Sequence, residues 1–203
     1  MNKLQQQSLQ AKDARYVTEV IDEGFDKTHA MLNELLQRDT PKSIPLSFGG
    51  VSLNREYYNL FVIGGEKFKN SEFTIQKDRA LTTSIEPNVK KRFFNLYDDR
   101  VVEQIFSLPS LFMSENVDYM RSRPGQKVLF GRVTDLTIEP NDIRISFEAE
   151  MQIFQQSITD ISHDLGIIGN PGCSELNNTH WTIKQVDLIN VLTRTGLMTL
   201  RDN

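Results

Sequence analysis

The sequence predicts an α+β fold: a long N-terminal amphipathic helix, then a mainly antiparallel sheet packed with two or three helices. Three patterns predict it. From Ile143 to Ile153, apolar residues alternate strictly with Arg144, Ser146, Glu148, Glu150 and Gln152, the period of a half-buried strand. Ile21, Phe25, Thr28, Leu32 and Leu35 step by four and three, as one face of a helix does. Phe93, Tyr97, Val101 and Ile105 are spaced four apart, a second helical stripe.

Residues 3 to 38 read as the first helix, with Ala14 and Val17 extending its stripe and Gly24 weakening it by about 1 kcal/mol relative to alanine. Thr40-Pro41 ends it, because the residue before proline avoids the helical region. A helix of about 35 residues would be ~50 Å long, more than one small domain covers. This divides the chain into an arm, residues 1–40, and a single α+β domain, residues 43–203, with a C-terminal module from about 108. Ile21, Phe25, Leu32 and Leu35 are the expected contact residues, toward a protein partner or a second copy of the chain.

Between 43 and 86, "SIPLSFGGVSL", "YYNLFVIGG" and "EFTIQKDRALTTSI" read as strands, and the Gly49-Gly50 and Gly64-Gly65 pairs as hairpin turns. Neither pair has the spacing of a phosphate-binding loop or a dinucleotide fingerprint, and no cofactor is expected. One helix is predicted from Asn88 to Leu108, stopped by Pro109, and "SLPSLFMSEN" is read as an apolar bend beneath a loop. "KVLFGRVTDLTI" and "IRISFEAEMQI" form a hairpin through the "EPND" turn, with a bulge near Gly131 where the apolar set changes phase. A short helix, "SITDISHDL", ends at Gly166, and a turn-rich loop follows.

The last segment concentrates the chemistry. "CSELNNTHWTIKQVDLINVL" holds the single tryptophan, the single cysteine and one of three histidines. As structure, Trp181 and Ile183 lie on one face of a strand, with His180, Thr182 and Lys184 on the other. Asp187 caps a terminal helix whose buried stripe is Leu188, Val191 and Leu192, and Gly196 closes it. As chemistry, Glu175, His180, Lys184 and Asp187 are the candidate acid–base residues of a hydrolase or nuclease, and Cys173 with His180 a candidate thiol pair. The structural reading is favoured, because caps and strand ends use such residues routinely while catalysis needs them to converge. A ligand-sensing alternative would line a pocket with Phe93, Phe94, Tyr97 and Phe147.

Bulk properties narrow the classes. Of 203 residues, 38% are hydrophobic and 25% charged, a globular composition. No apolar run approaches the ~18 residues needed to cross a bilayer, so no membrane is expected. The N-terminus lacks a secretory apolar core, and a lone cysteine suits a reducing cytoplasm. The net charge is −4 and the longest basic cluster is Lys90 to Arg92, so nucleic acid is not favoured. His29, His163 and His180 are far apart and no HxH, HExxH or CxxC spacing exists, so no metal is expected.

"ELNNTHWTIKQVDLINVL" resembles the closing signature of a set of uncharacterised bacterial proteins, E-L-x-x-T-H-W-x-[IV]-K-x-x-D-L-x-x-V-L. "SLPSLFMSEN" and "GRVTDLTI…DIRISFEAEM" resemble companion segments in the same order, so the likeness runs from about Leu108 onward. It implies a bacterial or phage-related origin and a recurring C-terminal module, with no activity attached. The expected function is that of a non-enzymatic, cytoplasmic interaction module acting by protein–protein contact or self-association.

Overall fold

The computed structural model describes residues 47–48, 51–82, 84–170 and 172–199. The expected N-terminal helix, with Ile21, Phe25, Leu32 and Leu35, lies outside the described residues. In chain order, β1 (Ser47–Phe48) and β2 (Val51–Ser52) pair as a small antiparallel ribbon. β3 (Tyr58–Val62) and β4 (Glu72–Gln76) follow. Two helices come next, α1 (Pro87–Phe93) and α2 (Asp99–Phe106), then β5 (Pro109–Met113). β6 (Lys127–Ile138) and β7 (Asp142–Phe154) form the long hairpin, and α3 (Gln155–Asp160) leaves its end. A ribbon of β8 (Gly169–Asn170) and β9 (Cys173–Ser174) leads to β10 (His180–Lys184) and the final helix α4 (Leu188–Arg194). The fold is α+β, a mixed sheet with few helices among the described residues.

The six-stranded sheet has the order β10-β3-β5-β6-β7-β4, antiparallel throughout except for β3 beside β5. Its two edges approach each other. The chain leaving β4 forms a bridge from Ala80 to Trp181, and the Leu81 N–H donates to the Trp181 carbonyl at 2.9 Å. The sheet is thereby curled, with both faces covered. One face buries Phe61, Phe73, Phe112, Phe147 and Trp181 with Val89, Phe93 and Ile105 of the first two helices. The other buries Tyr58, Leu60, Leu111, Phe130 and Ile153 with Ile158 of α3 and Leu188, Ile189 and Leu192 of α4.

The predicted hairpin is present, closed by the Glu139 N–H on the Asp142 carbonyl at 2.9 Å. Two register shifts interrupt it. Between the pairs Phe130–Met151 and Gly131–Ala149, Glu150 is the extra residue. Between Val133–Phe147 and Asp135–Ser146, Thr134 is. The first shift splits the alternation that reads as one face: Ile143, Ile145 and Phe147 join one core, while Met151 and Ile153 join the other, and Ala149 is exposed. Gly131 sits where the strands press closest, since a Cβ there would lie 1.9 Å from the Glu148 carbonyl oxygen.

Several expectations differ from the structure. "SLPSLFMSEN" is no bend: Pro109–Met113 is an interior strand with all five residues buried. Its proline takes the first position, where the missing N–H does least harm. The helix expected over 88–108 is two helices. Asp98 accepts the Arg100 N–H as an N-cap and restarts the chain, so the stripe breaks: Phe93 and Ile105 are buried while Tyr97 is 79% exposed. The Gly64-Gly65 turn exists, with Gly65 at φ 74°, but it joins β3 to β4, which do not pair with one another. Residues Lys77–Arg79 of the third predicted strand form a 3-10 turn instead.

Candidate functional site

β10 carries the candidate residues inward. Its five side chains are all buried because it pairs with β3 on one side and meets Ala80 on the other. Trp181 and Ile183 enter the aromatic core as expected. The indole N–H of Trp181 donates to Asn59 Oδ1 at 3.2 Å, and Asn59 in turn donates to Ser110 Oγ at 3.1 Å. The single tryptophan is therefore core, with its polar atom satisfied.

The opposite face holds His180, Thr182 and Lys184. A 3-10 turn at Glu175–Asn177, held by a reciprocal cap between Ser174 and Asn177, brings the Glu175 carboxylate beneath them. Lys184 Nζ lies 2.8 Å from Glu175 Oε1 and donates to the Ser84 carbonyl at 3.0 Å. The Ile168 backbone N–H donates to the same carboxylate oxygen. His180 Nε2 faces Glu175 Oε2 at 3.5 Å, long for a hydrogen bond, with both side chains 4% exposed. On its other side His180 Nδ1 is 2.8 Å from the Asn178 carbonyl. A carbonyl only accepts, so Nδ1 carries a proton, and a second proton on Nε2 would turn the facing atoms into an ion pair.

Burial acts to raise the Glu175 carboxyl, but the facing His180 ring, the Lys184 charge and bonds from Lys184 and Ile168 together hold it below the usual carboxylate range. Tyr58 stands close by. Burial, with the Glu175 charge added, pushes its phenol well above the ordinary value, and its hydroxyl donates to the Leu165 carbonyl at 2.8 Å. At neutral pH it is a neutral donor, not a base.

Three of the four predicted residues thus meet. Asp187 does not join them: it caps α4 through the Asn190 N–H at 2.9 Å and pairs with Arg55. Cys173 is exposed and its sulfur lies 3.6 Å from the Asn178 amide; no structural contact pairs it with His180. The sequence-based reading missed Tyr58, Ser84 and the Ile168 amide, since backbone donors and acceptors carry no sequence signal and Tyr58 reads as one aromatic in a strand.

A cleft of about 290 Å³ lies beside Lys184, bounded also by Ser84, Glu86 and Ile168. Glu175 and His180 do not line it, and the Lys184 side chain is only 6% exposed, with Nζ engaged by Ser84 and Glu175. Of the residues envisaged as lining a ligand pocket, Phe93 and Phe147 are core, while Phe94 and Tyr97 are 62% and 79% exposed. Two further cavities, of about 600 and 460 Å³, lie along the Ser114–Gln126 segment. Among the described residues no group of His, Cys, Asp and Glu side chains is arranged to hold a metal ion, and no helix is long and apolar enough to cross a membrane. No family model, curated protein or solved structure matches the chain.

Proposed function

We propose that the chain is a binding module, acting by contact with another protein or with a second copy of itself, and that Glu175, His180 and Lys184 are architecture. One observation carries this reading. Lys184 and Glu175 bond to each other and to the Ser84 carbonyl and the Ile168 N–H, and His180 Nδ1 bonds to the Asn178 carbonyl. The buried His180 Nε2 and Glu175 Oε2 face only each other at 3.5 Å, with the three side chains 4 to 6% exposed. They join β10 to two distant loops. Catalytic groups need a reacting atom within hydrogen-bond reach, and Glu175 and His180 line neither the cleft beside Lys184 nor the two larger cavities. The lone cysteine and globular composition support a cytoplasmic setting within the same proposal.

The N-terminal stripe supplies the self-association part. Light scattering on the full chain, and on a version lacking residues 1–38, tests it. A mass above one chain that falls to one chain on deletion is expected; one chain in both forms removes self-association.

A hydrolase or nuclease reading keeps one point in its favour, the meeting of three ionisable groups next to the cleft at Lys184. It requires Lys184→Arg to stay folded and lose a turnover that the parent chain possesses. The architectural reading expects that substitution to lower stability, measurable by urea unfolding.

A further inference from the structure

His180 lies between two acceptors. Its Nδ1 is 2.8 Å from the Asn178 carbonyl, and its Nε2 faces Glu175 Oε2 at 3.5 Å. Both of the latter atoms are buried, and among the described residues neither has another hydrogen-bond partner. A neutral imidazole carries one proton. Placed on Nδ1, that proton leaves two lone pairs facing each other at Nε2 and Oε2. Placed on Nε2, it sets a bare Nδ1 against the carbonyl. Only the doubly protonated ring gives each oxygen a donor.

Glu175 supplies the charge that such a ring needs. Lys184 Nζ and the Ile168 N–H both donate to Oε1, which keeps the carboxylate ionised and leaves Oε2 to His180. The other titratable groups near the cluster are Tyr58 of β3, a neutral donor to the Leu165 carbonyl, and Glu86, which lines the cleft beside Lys184. Next to His180 in the chain, Asn178 touches Cys173 and Thr179 donates to Glu115, and neither contact involves the ring.

The same carboxylate ties three segments together. Ile168 is held twice, its N–H by Glu175 Oε1 and its carbonyl by the Glu175 N–H at 3.1 Å. Through Lys184 the carboxylate reaches Ser84, whose carbonyl accepts from Lys184 Nζ and from the Thr182 hydroxyl. Ser84, Lys184 and Ile168 all line the cleft of about 290 Å³. How firmly Glu175 is seated therefore sets how firmly that wall of the cleft is held.

We propose that one proton, held between His180 Nε2 and Glu175 Oε2, latches the Glu175 turn onto β10, and that its loss frees Ile168 from the wall of the cleft. The proton is bound in the latched form and absent from the loosened one. The latched form thus gains population as pH falls through the titration of His180 and loses it as pH rises. Histidine is the side chain that changes charge between about pH 5 and 8, so the device works in that range, above the acid limit set by Glu175 itself. It lies beyond the contact function proposed above and does not depend on it.

The test reads ring and backbone together on the isotope-labelled full chain, from about pH 5.5 to about pH 8.5. Nitrogen–proton correlation spectra of the histidine rings report the protons on His180, whose signals are identified by their loss in His180→Gln. Nδ1 should be protonated throughout, and Nε2 protonated at the acid end and bare at the alkaline end. Protection of the Ile168 amide from hydrogen exchange, relative to the unstructured rate at each pH, should fall about tenfold or more as Nε2 loses its proton, while β7 amides keep theirs. His180→Gln, with a carboxamide that donates at any pH, should abolish the pH dependence at Ile168. An Nε2 in one protonation state across the range, an Ile168 amide indifferent to that proton, or an equal fall in β7 would overturn the proposal. So would a pH dependence that survives His180→Gln. If that variant does not fold, His29→Gln and His163→Gln assign the ring by elimination, and the parent chain's readings decide.

Discussion

Lys184 meets Glu175 where water is largely excluded, so removing either partner leaves a charge with neither solvent nor counter-ion. Such a loss typically costs about 3–5 kcal/mol, whereas replacing both partners with apolar groups of similar size is close to neutral. Lys184→Met should therefore destabilise the chain by about that amount in urea unfolding, and the Glu175→Leu/Lys184→Met pair should recover most of it. A single-substitution cost below about 1 kcal/mol would mean that the pair is screened after all. The same carboxylate sets an acid limit. Its folded pKa is held below the unfolded value near 4.5, so its stabilisation is fully present above that value and is lost as pH falls through the folded one. Thermal midpoints taken from about pH 5 to about pH 3 should fall further in the parent chain than in the doubly substituted one, which has no carboxyl at position 175 to protonate. If both fall equally, Glu175 is not the group responsible.

α4 is bounded by devices that act through the backbone. Asp187 caps its start, and at its end the Gly196 N–H reaches the Thr193 carbonyl while the Leu197 N–H reaches Leu192, with Gly196 at φ 72°. Asp187 also holds Arg55 at 2.9 Å, with the two side chains 30% and 25% exposed. Asp187→Ala should cost about 1–2 kcal/mol, cap and ion pair together, while Arg55→Ala should cost under about 1 kcal/mol; chemical denaturation of both separates the two contributions. Within the sheet, Gly131→Ala sets a Cβ against the Glu148 carbonyl at 1.9 Å, backbone held between paired strands. It should destabilise by 3 kcal/mol or more, near or beyond the upper part of the usual overpacking range of about 1–3 kcal/mol. An alanine tolerated there would mean the bulge can relax. These local devices are what the sequence made legible: Asp187, Gly196, the "EPND" turn and the phase change at Gly131 each announce themselves by residue type. The restart at Asp98 was hidden, because the four-residue spacing of Phe93, Tyr97, Val101 and Ile105 runs through it unbroken. In β7 the alternation of types is unbroken too, although Glu150 is the extra residue that turns Met151 and Ile153 to the opposite core.

Which strand lies beside which is set by contacts far apart in the chain, and those leave no local trace. The parallel pairing of β3 with β5 is read from no residue pattern, although the five buried positions of Pro109–Met113 follow from it, flanked on both sides and covered on both faces. The meeting of Glu175 with Lys184 and His180 was foreseeable as a grouping in sequence, whereas its burial depends on Ser84, Ile168 and Tyr58 arriving from other elements. The same holds for the interior of the curl. Phe61 stacks on Phe112 at 5.1 Å and on Trp181 at 5.1 Å, and Phe112 stacks on Phe147 at 4.4 Å, so rings from four strands fill the inner face. Each such pair adds about 0.5–1.5 kcal/mol beyond the area buried. This packing draws the two edges of the sheet together, and the Leu81 contact with Trp181 is where they meet. Leu81 holds φ 54°, a conformation that costs a side-chain-bearing residue about 1–2 kcal/mol. It is kept there by a buried side chain and by the 2.9 Å bond from its N–H to the Trp181 carbonyl. If that bond closes the sheet, the Leu81 amide opens only when β10 does, and its hydrogen exchange should be as slow as that of the β10 amides. Exchange of Leu81 at the rate of an exposed turn such as Gly125 would show instead that the edge between β4 and β10 stands open and that aromatic packing alone holds the curl.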